Sequence, residues 1–401
     1  MSDARTDPIA AFYEAHPYPP PVAELSTPDG VESMQRYDHH RIWPSRPRGS
    51  VRRLLVAGCG TSQAARHATR NPGVDVVGID VSPTSIEHTH RLIDQHGITN
   101  LRVEQLAIEE VGSLVESPDD RFDHIVCTGV LHHLADPVAG LRALAEVLAP
   151  GGAVTLMVYA PHGRYGVTLL QEYCRLLGIT PEPGDIADLV GALRELPIGH
   201  PISRALRETR DFQSDDALAD ALLNPRDRTY RVDELLELLA GAGLRFGRWQ
   251  QQAPYLPDCG SMSETPHCDR LLDLPEPEQY LAMEYYRGTI DRHTVIAFAA
   301  DDATSGVIDP AMLPDAVPIV DPAATVVDDS ERLPRGAAAA LLNRSHSASD
   351  LVLFVGPNEL DWFRSIDGRR TVTGLGADPA FISHLIRHDL VVVDASPGAS
   401  T

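Results

Sequence analysis

The segment LLVAGCGTSQAA, residues 54–65, decides the fold. Its apolar start is typical of a buried strand, and Gly58, Cys59 and Gly60 lead from that strand into small residues that favour a helix. In doubly wound α/β proteins, such a turn brings the backbone close to a nucleotide. A dinucleotide loop would carry a third glycine at the position of Gln63, so we expect no NAD binding. The loop alone leaves the ligand open.

The surrounding sequence alternates β-branched runs with helical stretches between residues 51 and 160. This alternation predicts a parallel sheet with helices on both faces. Asp136 is a plausible cap of the fourth helix, with Pro137 in its first turn and Pro150-Gly151-Gly152 as its end. Two further strands, in GLRFGRWQ and HTVIAFAA, complete the sheet. The sequence therefore predicts an α/β, Rossmann-like, doubly wound sheet of seven strands.

Shifts in composition divide the rest of the chain. The predicted segments are an N-terminal strip or lid (1–50), a catalytic domain (51–162 and 226–300), a helical insertion (163–225), a linker rich in proline and aspartate (301–335), and a C-terminal module (336–401). The insertion is expected to cap the substrate or to form a homodimer. The C-terminal module resembles a winged-helix domain, and its acidic balance favours docking over DNA binding.

Composition excludes several classes of protein. The 401 residues are 43% hydrophobic and contain no basic and apolar leader and no run of about 20 apolar residues, so we expect a cytoplasmic protein without a membrane partner. Five irregularly spaced cysteines indicate reduced thiols. Cys259, His267 and Cys268 fall short of a zinc site, and we expect no metal.

Charge narrows the chemistry further. All 34 basic residues are arginine, which excludes a Walker lysine and a lysine Schiff base. The net charge of −23 disfavours nucleic acid as a partner. Such a surface tolerates a basic protein or a small neutral acceptor.

Asp80 ends the second predicted strand, about twenty residues after the glycine turn, where an acid bonds the hydroxyls of a ribose. This spacing favours an adenosine-containing ligand. The alternative is an aspartate that only caps the end of the strand.

Four segments, taken in order along the chain, resemble class I S-adenosylmethionine-dependent methyltransferases. They are LLVAGCGTS, VVGIDVSPTSIEHTHRL, GVLHHLADPVAGLRALAEVLAPGGAVTLMVY and TRDFQSDDALADALLNPRDRTYRVDELLELLAGAGLRF. The similarity is greatest to a bacterial subgroup whose first loop reads AGCGTG. It implies S-adenosylmethionine as the cofactor, which carries no phosphate and needs only two glycines. By this resemblance, Gly58, Cys59, Gly60 and Ser62 line the methionine end, Asp80 holds the ribose, Val81, Ser82, Ala107 and Ile108 surround the adenine, and Thr128, Gly129 and Val130 cover the cofactor.

Three positions depart from the pattern of the family. Val56 stands where many relatives carry an acid, Ser62 replaces a glycine, and Ala107 occupies the place of an aspartate that often contacts the adenine amino group. These departures predict weaker binding of the cofactor.

Methyl transfer from a sulfonium is a displacement that needs alignment, exclusion of water and sometimes a base. His132 and His133 follow the fourth strand and are the candidate bases; their alternative role is local structure. Tyr13 and Tyr18, with His16, could form a lid over the cofactor whose rings suit a cation, or could simply pack against the domain. His162, Arg164 and Tyr165 are weaker candidates for the wall of the acceptor site.

The sequence therefore predicts a methyltransferase that acts on a small molecule, lipid or natural product. A protein methyltransferase, perhaps for lysine, and a non-catalytic sensor of S-adenosylmethionine are the alternatives.

Overall fold

The structure is a computed structural model, and it describes residues 8–25, 31–208, 212, 214–303, 306–329 and 333–399. The strands are β1 (Arg53–Ala57), β2 (Asp75–Asp80), β3 (Leu101–Gln105), β4 (Phe122–Thr128), β5 (Leu148–Tyr159), β6 (Leu244–Trp249), β7 (Arg292–Ala299), β8 (Val317–Val320), β9 (Ala324–Val327), β10 (Ala339–Asn343), β11 (Val352–Val355) and β12 (Val391–Asp394). The helices are α1 (Pro8–Ala15), α2 (Val31–Ile42), α3 (Gln63–Arg70), α4 (Pro83–His96), α5 (Pro137–Glu146), α6 (Tyr165–Leu177), α7 (Pro183–Arg194), α8 (Ser203–Glu208), α9 (Asp215–Leu223), α10 (Val232–Gly241), α11 (Cys268–Leu272), α12 (Glu276–Arg287), α13 (Pro357–Ser365), α14 (Val372–Leu375) and α15 (Pro379–Arg387).

The main sheet has seven strands in the order β3-β2-β1-β4-β5-β7-β6. Strand β1 pairs in parallel with β2 on one side and with β4 on the other, so the strand order reverses at β1. Ligands of doubly wound sheets bind at this reversal, beyond the carboxyl ends of the strands. The predicted Rossmann-like α/β fold is confirmed.

Strand β1 lies in the middle of the sheet, and both of its faces are apolar. Leu54 to Ala57 are all buried, as is expected of a parallel strand covered by helices on both sides. The chain then turns through the glycine loop into α3.

Side-chain caps fix where α4 and α5 begin, which sets the direction of the chain beyond β2 and β4. The Ser82 hydroxyl accepts a hydrogen bond from the backbone N–H of Ser85, at 3.2 Å. Asp136 caps α5 through the N–H of Ala139, at 2.9 Å, as predicted. Helix α5 ends at Glu146, earlier than predicted, because β5 already begins at Leu148.

The chain divides into two compact units. The described residues of the first are 8–25, 52–208, 212, 214–244 and 288–293. Among its described residues, the insertion predicted at 163–225 forms helices α6 to α9 around a shared apolar cluster that includes Val167, Leu170 and Leu218. Several apolar residues of α6 are exposed, including Tyr165, Leu176 and Leu177. A homodimer through this insertion stays a prediction.

The described residues of the second unit are 31–51, 245–287, 294–303, 306–329 and 333–399. It contains a two-stranded antiparallel sheet, β12-β8, and a three-stranded antiparallel sheet, β11-β10-β9. The terminal strand β12 follows three helices, α13 to α15, but it pairs with β8 rather than in a hairpin with its neighbour. The winged-helix interpretation stays a prediction.

Two predicted boundaries need correction. The proposed linker, 301–335, holds a short helix and strands β8 and β9, because Leu313, Ala316 and other apolar residues among its prolines enter the core of the second unit. The proposed N-terminal segment, 1–50, is split: residues 8–25 belong to the first unit and 31–50 to the second, whereas 1–7 and 26–30 lie outside the described residues.

Within the described ranges, none of the helices combines the length and the apolar composition needed to cross a bilayer.

Candidate functional site

A cavity of about 310 Å³ lies in the first unit, at the carboxyl ends of β1, β2 and β4. It contains twelve of the sixteen residues predicted for the cofactor or for catalysis: Tyr13, Tyr18, Gly58, Cys59, Gly60, Asp80, Val81, Ile108, Thr128, Gly129, Val130 and His133. The rest of its wall comes from residues that the sequence analysis did not single out, such as Met157, Tyr159 and Asp220, and from Arg164. Residues separated by more than 200 positions in the chain therefore meet at one site.

The glycine loop brings its backbone close to its neighbours. Gly58 has φ +69°, and a Cβ added there would lie 2.3 Å from a methyl group of Val130. Gly60 has φ +52°, and a Cβ there would lie 2.9 Å from Pro19 Cδ. Any side chain at either position would narrow the cavity, so the two glycines form the kind of cradle that S-adenosylmethionine requires.

Asp80 connects this loop to the end of β2. Its two carboxylate oxygens accept hydrogen bonds from the backbone N–H of Gly60, at 2.8 Å, and of Ser82, at 2.9 Å. Removal from water raises the pKa of Asp80 above its usual value, and these backbone donors oppose that rise. The carboxylate keeps lone pairs for further donors such as ribose hydroxyls.

Four predicted site residues do not line the cavity. Ser62 is buried where α3 begins, and the Ser82 side chain is occupied in capping α4. Ala107 has no side chain long enough to reach a ligand, and its carbonyl accepts the N–H of Glu110. His132 is buried behind the wall, 1% exposed, with its ring centroid 4.4 Å from that of Tyr159.

The burial of His132 changes its predicted role. Burial, followed by the charges of His133 and Arg164, holds its pKa well below the usual value for histidine. A neutral ring that is covered on all sides cannot take a proton from a ligand in the cavity, so His132 is not placed to act as a base.

The N-terminal segment covers the glycine loop. The Thr61 hydroxyl donates to the carbonyl of Pro19, at 2.8 Å, and the Thr84 hydroxyl donates to Glu14, at 2.6 Å. Tyr13 and Tyr18 reach the cavity from this segment, whereas His16 pairs with Asp216 at 3.1 Å and does not line it. His162 and Tyr165 also lie outside the cavity wall.

His133 is held in one tautomer. Its Nδ1 lies 2.6 Å from the carbonyl oxygen of Arg226, and the Arg226 guanidinium donates to the His133 carbonyl at 3.0 Å. Because a carbonyl only accepts, Nδ1 carries a proton, so Nε2 is the nitrogen that can accept when the ring holds a single proton.

Beside His133 lies a group that the sequence analysis missed. The Tyr13 hydroxyl donates to Asp220 Oδ1 at 2.8 Å, and the Asn224 amide donates to the same oxygen at 3.2 Å. Burial raises the pKa of Asp220, and the charge of His133 and the hydrogen bonds from Tyr13 and Asn224 oppose that rise. Burial, together with the charge of Asp220, raises the pKa of Tyr13. The sequence feature that could have identified Asp220 is a single acidic residue inside the apolar run ALADALL of α9.

A second carboxylate lies behind the wall. Asp227 Oδ2 accepts from Gln171 at 2.8 Å and pairs with Arg164 at 3.4 Å. Within the described part of the chain, one set of residues has metal-ligand geometry: atoms of His132, His133 and Asp227 that all lie within 4.8 Å of one another. The Arg164 guanidinium already supplies a positive charge to this set. The absence of a metal stays a prediction.

Two of the predicted zinc-ligand candidates are cysteines that do not line the cavity. Cys259 and Cys268 are buried in the second unit, and burial raises the pKa of Cys259 above its usual value. Such thiols are inert packing residues.

Comparison with known proteins places the chain in a family. A family profile described as a methyltransferase domain matches residues 55–154. The uncharacterised protein syc1184_c of Synechococcus sp. is 31% identical over 294 residues, which cover 71% of this chain and 69% of that protein. The ubiquinone biosynthesis O-methyltransferase of Alkalilimnicola ehrlichii is 34% identical over 103 residues, which cover 26% of this chain and 40% of that protein.

Solved structures agree on the fold. PKMT2 from Rickettsia typhi superposes with a TM-score of 0.61 at 14% identity, over 90% of this chain and 74% of that one, and it has also been solved in complex with AdoHcy. The cofactor that the family uses fits the cradle formed by Gly58, Gly60 and Asp80. The chain belongs to the class I S-adenosylmethionine-dependent methyltransferases.

Proposed function

We propose that this enzyme transfers the methyl group of S-adenosylmethionine to a nucleophilic atom of a small molecule, and that His133 accepts the proton which that atom loses. The observation that carries the proposal is the bond between His133 Nδ1 and the Arg226 carbonyl, because it makes Nδ1 the donor and so assigns the acceptor role to Nε2 of a cavity-lining histidine.

The cofactor would occupy the end of the cavity beside the glycine loop. Gly58, Cys59 and Gly60 would follow its methionine portion, and Asp80 would accept from its ribose hydroxyls. Val81 and Ile108 supply an apolar wall for the adenine, and Thr128 to Val130 lie between this end and His133. Ser62, Ser82 and Ala107 would act through the backbone and the helix starts that they form.

When bound, S-adenosylmethionine supplies a methyl carbon made electrophilic by its sulfonium. The chain's own residues align the acceptor, keep water away and receive the proton. His133 Nε2 takes that proton, while the Arg226 carbonyl fixes the ring and stabilises the imidazolium that results.

A small acceptor is favoured because the N-terminal segment covers part of the site. Residues 8–25 lie over the glycine loop and are tied to it by Thr61 and to α4 by Thr84 and His88. The helical insertion adds Asp220 to the wall, where it contacts Tyr13 of this segment. A covered site suits an acceptor that enters whole, whereas a protein acceptor needs an open channel for one side chain.

The test is incubation of the full chain with S-adenosylmethionine carrying a labelled methyl group and with a fractionated cell extract. We expect S-adenosylhomocysteine to form and label to appear in the low-mass fraction. Label on discrete protein bands alone would favour a protein methyltransferase. Cofactor binding without turnover in any fraction would favour the sensor.

A further inference from the structure

We infer that the acceptor is a cationic amine, bound through its ammonium group by Asp220 and the ring of Tyr13. The inference rests on the proposed function, because it assigns the atom that is methylated at the same site. It depends on a carboxylate and an aromatic ring that share the cavity with His133.

Asp220 is a nearly buried carboxylate, 6% exposed, in the wall of the cavity. Both of its hydrogen-bond donors, the Tyr13 hydroxyl and the Asn224 amide, are neutral and bind the same oxygen, Oδ1. Among the residues that the structure describes, no arginine or histidine forms an ion pair with Asp220, and no donor contacts Oδ2. A buried carboxylate that has no cation at ion-pair distance is stabilised when a ligand brings a positive charge to it.

The neighbouring acid shows the contrast. Asp227 has the guanidinium of Arg164 as its cation and an amide donor from Gln171. Asp227 therefore has a cation of the chain at 3.4 Å, whereas Asp220 has none at ion-pair distance among the described residues. This difference assigns the charge-binding role to Asp220.

The ring beside Asp220 suits the same ligand. Tyr13, which donates to Asp220, lines the cavity, and its ring centroid lies 5.8 Å from that of His133. Tyrosine faces attract ammonium groups, most strongly where water is excluded. A carboxylate beside an aromatic ring thus recognises a cation, whereas a neutral alcohol would supply no charge to Asp220.

The chemistry is balanced. An ammonium nitrogen gives one proton to His133 Nε2, its lone pair forms a bond to the methyl carbon, and the carbon–sulfur bond breaks with its electron pair going to sulfur. The products are a methylated ammonium, a neutral thioether and an imidazolium, which returns its proton to water.

The first test measures ligand preference without turnover. The full chain, saturated with S-adenosylhomocysteine, is titrated calorimetrically with benzylamine and with benzyl alcohol, which differ only in the polar group. We expect benzylamine to bind about tenfold more tightly or better, because a charge-assisted contact is available to it alone. Equal affinity, or binding of neither compound, would overturn the inference.

Variants identify the group responsible. Asp220→Asn keeps the shape of the side chain and should abolish the preference for the amine, whereas Asp215→Asn, on the exposed start of the same helix, should retain it. The cofactor also carries an ammonium group, so its affinity is measured for both variants. If Asp220→Asn weakens the binding of S-adenosylmethionine by the same factor, Asp220 serves the cofactor and the inference fails.

The second test examines the product. The low-mass extract is treated with N-hydroxysuccinimidyl acetate and then with hydroxylamine, which leaves amines acetylated and hydroxyls free. We expect the treated extract to give no labelled product. Label that persists would overturn the amine assignment and leave the proposed function standing, whereas absence of label from the untreated extract would contradict the proposed function itself.

Discussion

Gly58 and Val130 approach so closely that a Cβ on Gly58 would lie 2.3 Å from a methyl group of Val130, inside the contact distance of two carbon atoms. The contact joins the loop after β1 to the segment after β4, the two strands between which the ligand site opens. Position 58 therefore has two requirements: space for the Val130 side chain and a positive φ.

Gly58→Ala should weaken the binding of S-adenosylmethionine at least tenfold. The new methyl group would displace Val130 into the cavity, and the left-handed backbone would cost about 1–2 kcal/mol. Calorimetric titration measures the loss. Adding Val130→Ala should restore part of the affinity, because it relieves the clash but not the backbone strain. Full affinity of the single variant would contradict the proposed position of the cofactor.

Asp80→Asn should weaken the binding of S-adenosylmethionine about tenfold, because the amide group has only one oxygen that can accept, whereas the carboxylate has two. Hydrogen bonds to a charged group contribute about 1.5–3 kcal/mol. Asp75→Asn, at the other end of β2, is the matched control. Its salt bridge to Arg53 is half-exposed, so its loss should leave affinity unchanged. Equal effects of the two substitutions, or binding of NAD by the native chain, would be inconsistent with the assignment.

His133→Ala should lower kcat about a hundredfold or more, the usual contribution of a general base, with little change in the affinity for S-adenosylmethionine. Added imidazole should restore part of the rate by filling the space of the lost ring. Single-turnover measurements with the labelled donor provide the readout. A variant with native kcat would leave the enzyme without the base that we assign.

The sequence predicts those parts of the site that lie close together in the chain better than those that distant segments bring together. The glycine loop, Asp80 and the turn after β4 follow strands directly, so their positions could be predicted once the strand pattern was known. Asp220 could not be placed, because it reaches the cavity from α9 through contacts with Tyr13, 207 residues away. The prediction of a linker at residues 301–335 was wrong because prolines are compatible with edge strands as well as with linkers. Only the packing of Leu313 and Ala316 shows that this segment is structured.

Stability should fall with acid between pH 6.5 and 4. Burial, with a smaller effect of Arg70, lowers the pKa of His67 to about 4. An unfolded chain takes up that proton near pH 6.5, so falling pH favours the unfolded state until the native ring also titrates, and the stability present above pH 6.5 is lost progressively. His67→Gln should flatten the dependence of Tm on pH by removing at most about 3 kcal/mol of this effect. His90→Gln, at an exposed position, should not change it.

The hydrogen bond from Thr61 to Pro19 should determine how well the N-terminal segment excludes water. Thr61 is fully buried, and its hydroxyl donates to the Pro19 carbonyl at 2.8 Å. Thr61→Val keeps the shape of the side chain and removes the donor, at a cost of about 0.5–1.5 kcal/mol. We expect up to about tenfold weaker binding of S-adenosylmethionine and a lower methyl-transfer rate, with a slightly lower Tm. Thr69→Val, whose hydroxyl bonds only within α3, is the control.

Deletion of residues 1–22 extends this prediction and should abolish transfer, because it removes Tyr13, Tyr18 and the cover of the glycine loop together. Phe12 also belongs to the apolar cluster of the insertion, so the deletion is interpreted only beside the Thr61 variant. Full activity of Thr61→Val, measured with the same labelled donor, together with activity of a folded deletion variant, would show that the segment packs against the domain without covering the reaction.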